Sequence, residues 1–310
     1  MRLKPKNNSA QLTGGGAKPI AGGDVSKPSG LNQPVGLHIV ATPIGNLRDI
    51  TLRAIDTLSR VDVIACEDTR VTAKLLSAHG IRTKMAAYHE HNAARVLPGM
   101  IKRLQNGETM ALVSDAGTPL ISDPGYRLVR AAQEAGIPVT TAPGPSSPLA
   151  ALVLSGLPSD RFLFAGFLPN RQSARKRALA ELVPIDATLV FLESTRRLAA
   201  SLADMAAVLG ARDAAVAREL TKLHEELRRG GLAELVQYYR DAGPPKGEAV
   251  VVVGPPDRDA ASLSAGELDN LLVQALKTMS VRDAATTVAA ASGRARREIY
   301  TRALEISAGE

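Results

Sequence analysis

Between residues 37 and 142, short apolar runs at 37–41, 61–65, 84–88, 110–114 and 139–142 alternate with amphipathic stretches such as 51–59, 71–79 and 128–135. Runs of four or five apolar residues are strand-like, and the intervening stretches carry their apolar residues at helical spacing. Strands separated by helices pair in parallel, because a parallel neighbour is reached only through a long crossover. The helix ends carry the matching punctuation: Asp49 or Thr51 can cap the first, and Gly136 can stop the stretch before it.

A second alternating set follows Pro158-Ser159-Asp160, with strands predicted at 162–165, 187–192, 214–217 and 249–253 and helices at 173–182 and 197–209. A second α/β domain accounts for it most simply. Past Pro255-Pro256-Asp257 strand signals stop, and three helices are predicted at 264–277, 281–291 and 293–307. Such a helical unit serves either as a partner or RNA contact or as packing that closes the second domain. Residues 1–35, rich in Gly, Pro, Lys, Asn and Ser and without apolar periodicity, cannot offset the entropy of ordering and are expected to be disordered. The expected organisation is a tail at 1–35, α/β domains at 36–157 and 158–256, and a helical unit at 257–310.

The net charge of +7 divides unevenly: Arg2, Lys4, Lys6, Lys18 and Lys27 against Asp24 put +4 on residues 1–35 and leave +3 on the rest. The body is therefore only mildly basic, with local clusters at Arg171, Arg175, Lys176 and Arg177 and at Arg294, Arg296 and Arg297 that suit phosphate contacts or ordinary solvated helix faces. No apolar run approaches the roughly 18 residues of a membrane span. The single cysteine, Cys66, leaves no disulfide framework and no cysteine metal cluster. A cytoplasmic protein without membrane association is expected.

Two loops have the make-up of ligand sites. Ser114-Asp115-Ala116-Gly117-Thr118-Pro119-Leu120-Ile121-Ser122-Asp123-Pro124-Gly125 follows one strand, and Ala142-Pro143-Gly144-Pro145-Ser146-Ser147-Pro148 follows another and opens a helix near Pro148. Loops at the carboxyl ends of strands are where open α/β sheets bind ligands. Prolines stiffen both loops, glycines let a ligand approach the backbone, and Ser146 and Ser147 can hold polar ligand atoms. Neither loop has a Lys or Arg, so a zwitterionic or cationic small molecule fits better than a phosphate-rich one. The first strand leads into Thr42-Pro43-Ile44-Gly45-Asn46-Leu47, a rigid exposed turn suited to lining a cleft. It is not the G-x-G-x-x-G of dinucleotide sites, and no G-x-x-x-x-G-K-[ST] phosphate loop or G-x-S-x-G elbow occurs either. His89-Glu90-His91, read as a strand, puts both imidazoles on one face with no third metal ligand, and no metal is expected. Polar groups also end other strands, at Glu67-Asp68-Thr69-Arg70, Glu193-Ser194-Thr195-Arg196 and Arg218-Glu219-Leu220-Thr221-Lys222.

In their order along the chain, the blocks Thr42 through Thr51, Glu67 through Arg70, Ser114 through Gly125, Gly156 through Phe162, Gly166 through Pro169, Glu193 through Thr195 and Arg218 through Lys222 closely resemble the ribosomal-RNA branch of the tetrapyrrole-methylase-like S-adenosylmethionine enzymes. The resemblance runs from about Leu37 to the end. It implies a two-domain α/β fold, S-adenosylmethionine in the cleft between domains, and a homodimer. The implied reaction methylates the ribose 2′-oxygen of a cytidine in the decoding region of 16S rRNA, within the small ribosomal subunit. Porphyrinoid-modifying relatives carry a glycine-rich turn where Thr42-Pro43-Ile44-Gly45-Asn46 stands here, which favours the RNA branch over a porphyrinoid methylase or a non-enzymatic ribosome-binding protein.

By the same resemblance Ser114, Asp115, Ala116, Gly117, Thr118 and Ile121 contact the amino-acid and ribose parts of the cofactor, with Pro43 at the cleft wall and Ser146 and Ser147 opposite. Phe167, Leu168 and the turn of Lys246, Gly247, Glu248 and Ala249 cover its adenine and methionine ends. The candidates for a base at the 2′-hydroxyl are His89, Glu193 and Lys222, the last only if burial depresses its pKa. At 3% aromatic residues, stacking platforms are scarce, and RNA is expected to be held by shape and phosphate contacts.

Overall fold

The computed structural model describes residues 35–122, 125–256, 265–292 and 295–308. The expected tail, apart from Val35, lies outside them, as do the boundary before the C-terminal helices and the ends of some of those helices. The first unit is built on five parallel strands, β1 (Leu37–Val40), β2 (Val63–Cys66), β3 (Lys84–Ala87), β4 (Met110–Val113) and β5 (Val139–Ala142), in the order β3-β2-β4-β1-β5. Helices α1 (Leu52–Arg60), α2 (Thr69–Ala78), α3 (Glu90–Gln105) and α4 (Tyr126–Glu134) make the crossovers. Successive strand side chains point to opposite faces. Ile64, Cys66, Ala111 and Val113 thus meet Leu58 of α1 and Leu75 and Leu76 of α2, while Val63, Ala65, Met110 and Leu112 meet Met100 and Leu104 of α3 and Leu128 of α4. The helix starts follow the sequence: Thr51 Oγ1 accepts the Ala54 N–H, and Asp68 accepts the Arg70 N–H.

After α5 (Ser147–Ser155) the second sheet comprises β6 (Phe162–Phe167), β7 (Thr188–Ser194), β8 (Asp213–Arg218), β9 (Glu226–Gly231) and β10 (Glu248–Val253), with α6 (Gln172–Leu182), α7 (Leu198–Leu209) and α8 (Leu232–Ala242). Its order is β6-β7-β10-β8-β9; β6 and β7 pair in parallel and every other pair is antiparallel. One face packs on α6, α7 and α8 through Leu179, Leu202, Leu235 and Phe191. The other receives Ala151 and Leu152 of α5 together with Ile44, against Val190, Ala217, Val250 and Val252. The helix between the two sheets therefore belongs to both units.

Three further helices, α9 (Ala265–Leu276), α10 (Val281–Ser292) and α11 (Arg296–Ala308), close on each other around Leu268, Leu272, Val288 and Ile299. Among the described residues no helix is long and apolar enough to cross a membrane. Three elements go beyond the expected pattern. Residues 90–105 form α3, so His89-Glu90-His91 starts a helix instead of continuing a strand, and β9 and α8 fill the interval between β8 and β10.

Candidate active site

The carboxyl ends of β1, β4 and β5 carry three loops that are tied to one another. Thr42 and Gly117 exchange both backbone hydrogen bonds, at 2.9 and 3.0 Å, the Thr42 hydroxyl donates to the Ser114 carbonyl, and the Thr118 hydroxyl donates to the Pro145 carbonyl. Facing them are the ends of β6, β7, β8 and β10. The turn after β1 reaches across: the Asn46 N–H donates to Thr221 Oγ1 at 3.0 Å, and a side chain at Gly45 would run into Lys222, Thr221 and the Leu220 carbonyl. Between the two sets of loops lies a cleft of about 440 Å³, within the usual range for a small-molecule site.

Asp115, Ala116, Gly117, Thr118, Ile121, Ser146, Ser147, Phe167, Gly247, Glu248 and Ala249 all line this cleft. The apolar faces of Ile121 and Phe167 are exposed in it, Phe167 to 57%. Three other sequence candidates stand behind the wall. Pro43 is buried, not exposed as its turn suggests; the Ser114 hydroxyl donates to the carbonyls of Ala116 and Gly117 and shapes the loop from inside; and Leu168 sits in the core with α6 and α7. Among the described residues every non-glycine with a left-handed backbone lies at the cleft or beside it: Leu120, Ser122, Glu219 and Thr221. Such conformations persist where surrounding structure holds them, commonly at functional sites.

The polar wall is acidic. Asp115 Oδ1 accepts the Asp68 N–H at 3.1 Å, which fixes its carboxylate between the β2 and β4 loops. Asp68 itself is pulled down to about 2 by hydrogen bonds from the Arg70 side chain and N–H. Opposite, Glu219 Oε1 accepts from Lys222 Nζ and from the Glu248 N–H, both at 3.0 Å, and Lys222 also reaches Glu248 Oε2 at 3.1 Å. Gly247, at φ +96°, makes this possible, since a Cβ there would lie 2.2 Å from Glu219 Oε1. Neither Glu219 nor Gly247's close approach to it is visible in the sequence beyond the polar run 218–222.

The three candidate bases are scattered. Glu193 lines the cleft, but its carboxylate is buried and accepts from the Arg197 guanidinium at 2.6 Å, from the Ser194 N–H and from the Ser201 hydroxyl. Those three donors occupy the carboxylate's acceptor positions, so it is engaged within the second unit. Partial burial lowers the Lys222 pKa, but the hydrogen bonds and charges of Glu219 and Glu248 outweigh it and leave the pKa raised. The depression that would make this lysine a base is therefore absent. His89 is not among the cleft-lining residues; it precedes α3, its backbone N–H donates to Asn92 Oδ1, and its Nδ1 is buried without a hydrogen-bond partner. Among the described residues no cluster of His, Cys, Asp and Glu is arranged for a metal.

Two α/β units that enclose an acidic, partly apolar cleft with strand-end loops define a small-molecule-dependent enzyme of the open α/β kind. Residues 36–236 match the family model of the Tetrapyrrole (Corrin/Porphyrin) Methylases, and the chain belongs to that family. Residues 262–307 match the RsmI C-terminal HTH domain. The protein of Mesorhizobium japonicum named ribosomal RNA small subunit methyltransferase I is 52% identical over 271 residues, covering 87% of this chain and 92% of its own. The protein of the same name from Erythrobacter litoralis is 55% identical over 271 residues, covering 87% and 95%. Among solved structures, the uroporphyrin-III C-methyltransferase of Thermus thermophilus complexed with S-adenosylhomocysteine shares the fold, with a TM-score of 0.50, 18% identity and coverage of 71% of this chain and 97% of that one.

Proposed function

We propose that this protein transfers a methyl group from S-adenosylmethionine to the ribose 2′-oxygen of a cytidine in the decoding region of 16S rRNA, acting in the cytoplasm as a homodimer on the small ribosomal subunit. The rRNA methyltransferase relatives, aligned over most of both chains, support the reaction class. The observation that carries the cofactor reading is the cleft itself. Asp115, Glu219 and Glu248 line it against Lys222, its one cation among the described residues, while Glu193 is paired with Arg197; the balance is negative and favours a positively charged ligand. Ile121 and Phe167 offer apolar surface for a flat ring, and the glycine at 247 keeps backbone accessible beside Glu219.

When bound, S-adenosylmethionine supplies a methyl group on a cationic sulfur. Asp115, Ala116, Gly117, Thr118, Ile121, Ser146 and Ser147 would hold it from the first unit, with Phe167, Gly247, Glu248 and Ala249 covering it from the second; Pro43, Ser114 and Leu168 support these groups from behind. The protein's main task is alignment of donor and acceptor. Of the three candidate bases, His89 has a buried Nδ1 without a hydrogen-bond partner, whereas Glu193 is paired with Arg197 and Lys222 with two carboxylates.

Purified protein and tritiated S-adenosylmethionine, offered to small subunits that lack the modification, should yield label at a single cytidine ribose. Asp115→Ala should weaken cofactor binding by at least about tenfold in calorimetry, in line with loss of a charged contact. Equal methylation and equal affinity in that variant would overturn the cofactor assignment. Label on a free porphyrinoid and none on RNA would overturn the acceptor.

A further inference from the structure

The β4 loop divides the carboxyl edge of the first sheet into two halves. On one side, above β4, β1 and β5, is the cleft; on the other, above β3, β2 and β4, is a second pocket of about 450 Å³ lined by Glu67, Tyr88, Glu90, Ser122, Tyr126 and Arg127. Ser122 lines both, so the pocket and the cleft meet at this residue. An acceptor in the second pocket would thus adjoin the cleft at Ser122.

The pocket's side chains have three separate chemistries. Tyr126, in the first turn of α4, is 64% exposed and presents an aromatic face. Arg127 is an exposed cation with no salt bridge among the described residues. Glu67, half-buried at the end of β2, carries no side-chain hydrogen bond or salt bridge among the described residues; burial and the Asp115 carboxylate push its pKa up, with His89 close enough to oppose them. A half-buried carboxylate without donors, in the wall of a pocket that also has an aromatic ring and a cation, can accept from a ligand.

We propose that this pocket receives the acceptor nucleotide, a cytidine turned out of its stack, with its base on Tyr126, its exocyclic amine donating to Glu67 and its phosphate against Arg127. The assignment rests on the reading of the protein as an RNA methyltransferase. Cytosine and uracil differ at the edge Glu67 would meet: cytosine offers an N–H donor there, uracil a carbonyl oxygen that a carboxylate repels. Stacking on tyrosine holds any base, so Tyr126 supplies affinity and Glu67 supplies choice.

The test uses the full chain, tritiated S-adenosylmethionine and small subunits lacking the modification, with either cytidine or uridine at the target position. Glu67→Gln should leave cofactor affinity within about twofold, lower kcat/KM on the cytidine subunit by about tenfold or more, and narrow the preference for cytidine over uridine by a similar factor, as expected for one base-edge contact. Tyr126→Ala, a surface change that spares folding, should raise KM for the subunit about tenfold with kcat little altered. If wild type methylates the cytidine subunit and both variants match it in rate and preference, the pocket assignment is overturned. If wild type binds cofactor and labels neither subunit, the RNA reading fails and the pocket assignment falls with it.

Discussion

Gly247 shows how one residue without a side chain decides a site. Its positive φ and the 2.2 Å approach of Glu219 Oε1 to where a Cβ would stand leave no room for alanine. Gly247→Ala should cost about 1–3 kcal/mol in urea unfolding and should displace Glu219, weakening cofactor binding in calorimetry; an unchanged affinity would remove Glu219 from the site. The Glu219–Lys222 pair also sets a pH window. Burial alone would raise Glu219, but hydrogen bonds from Lys222 and the Glu248 N–H bring it below its ordinary 4.5. A lowered carboxyl stabilises the fold fully above that ordinary value and loses its contribution as pH falls through the lowered one. Lys222, raised above 10.5, contributes fully below that value and loses it as pH rises through the raised one. Glu219→Gln should therefore flatten the acid side of the melting-temperature profile below about pH 4.5; an acid limb identical to wild type would show that the pair is not coupled to folding. The Asp115 loop is legible in sequence because its prolines, glycines and carboxylates are contiguous. Glu219 is not, since its role depends on Gly247, far along the chain.

At the scale of elements, α5 carries two duties. Its first residues line the cleft and its buried face, Ala151 and Leu152, holds the second sheet. Leu152→Ala should cost about 2–5 kcal/mol in chemical denaturation and should loosen the cleft as well, read as weaker cofactor binding; loss of stability with full affinity would separate the two duties. The second unit has its own anchor: Arg175 on α6 and Asp204 on α7 form a buried pair at 2.6 Å, with Gln172 on the other Asp204 oxygen. Asp204→Ala leaves a buried guanidinium unpaired and should destabilise by about 3–5 kcal/mol in the same measurement. Helix α3 escapes a sequence reading because Pro98 lies inside it and removes a hydrogen bond from the helical pattern, while packing of Ala93, Met100 and Leu104 on the sheet preserves it. Strand β9 escapes because Glu226-Leu227-Arg228-Arg229 is an edge strand with charged residues, which lacks the apolar run of the central strands.

For the whole molecule, the basic tail and the helical end extend the question from the methyl donor to the RNA. Removal of residues 1–34 should shallow the dependence of subunit binding on salt, by a slope of up to roughly 3.5 for its five cations; an identical slope would show that the tail makes no phosphate contacts. The alternation of strands and helices, the two proline-stiffened loops and the absence of phosphate-binding motifs are local properties, so the order of residues alone specifies the α/β class, the parallel first sheet and the cleft-side loops that follow β1, β4 and β5. The mixed pairing of the second sheet, the reach of Gly45 to Lys222, the burial of Pro43 and Leu168, and the ion pairs that occupy Glu193 and Lys222 join residues distant along the chain. They arise only on folding, because pairing register, burial and ion pairing depend on what packs across a gap, and no local pattern of residues encodes that neighbour.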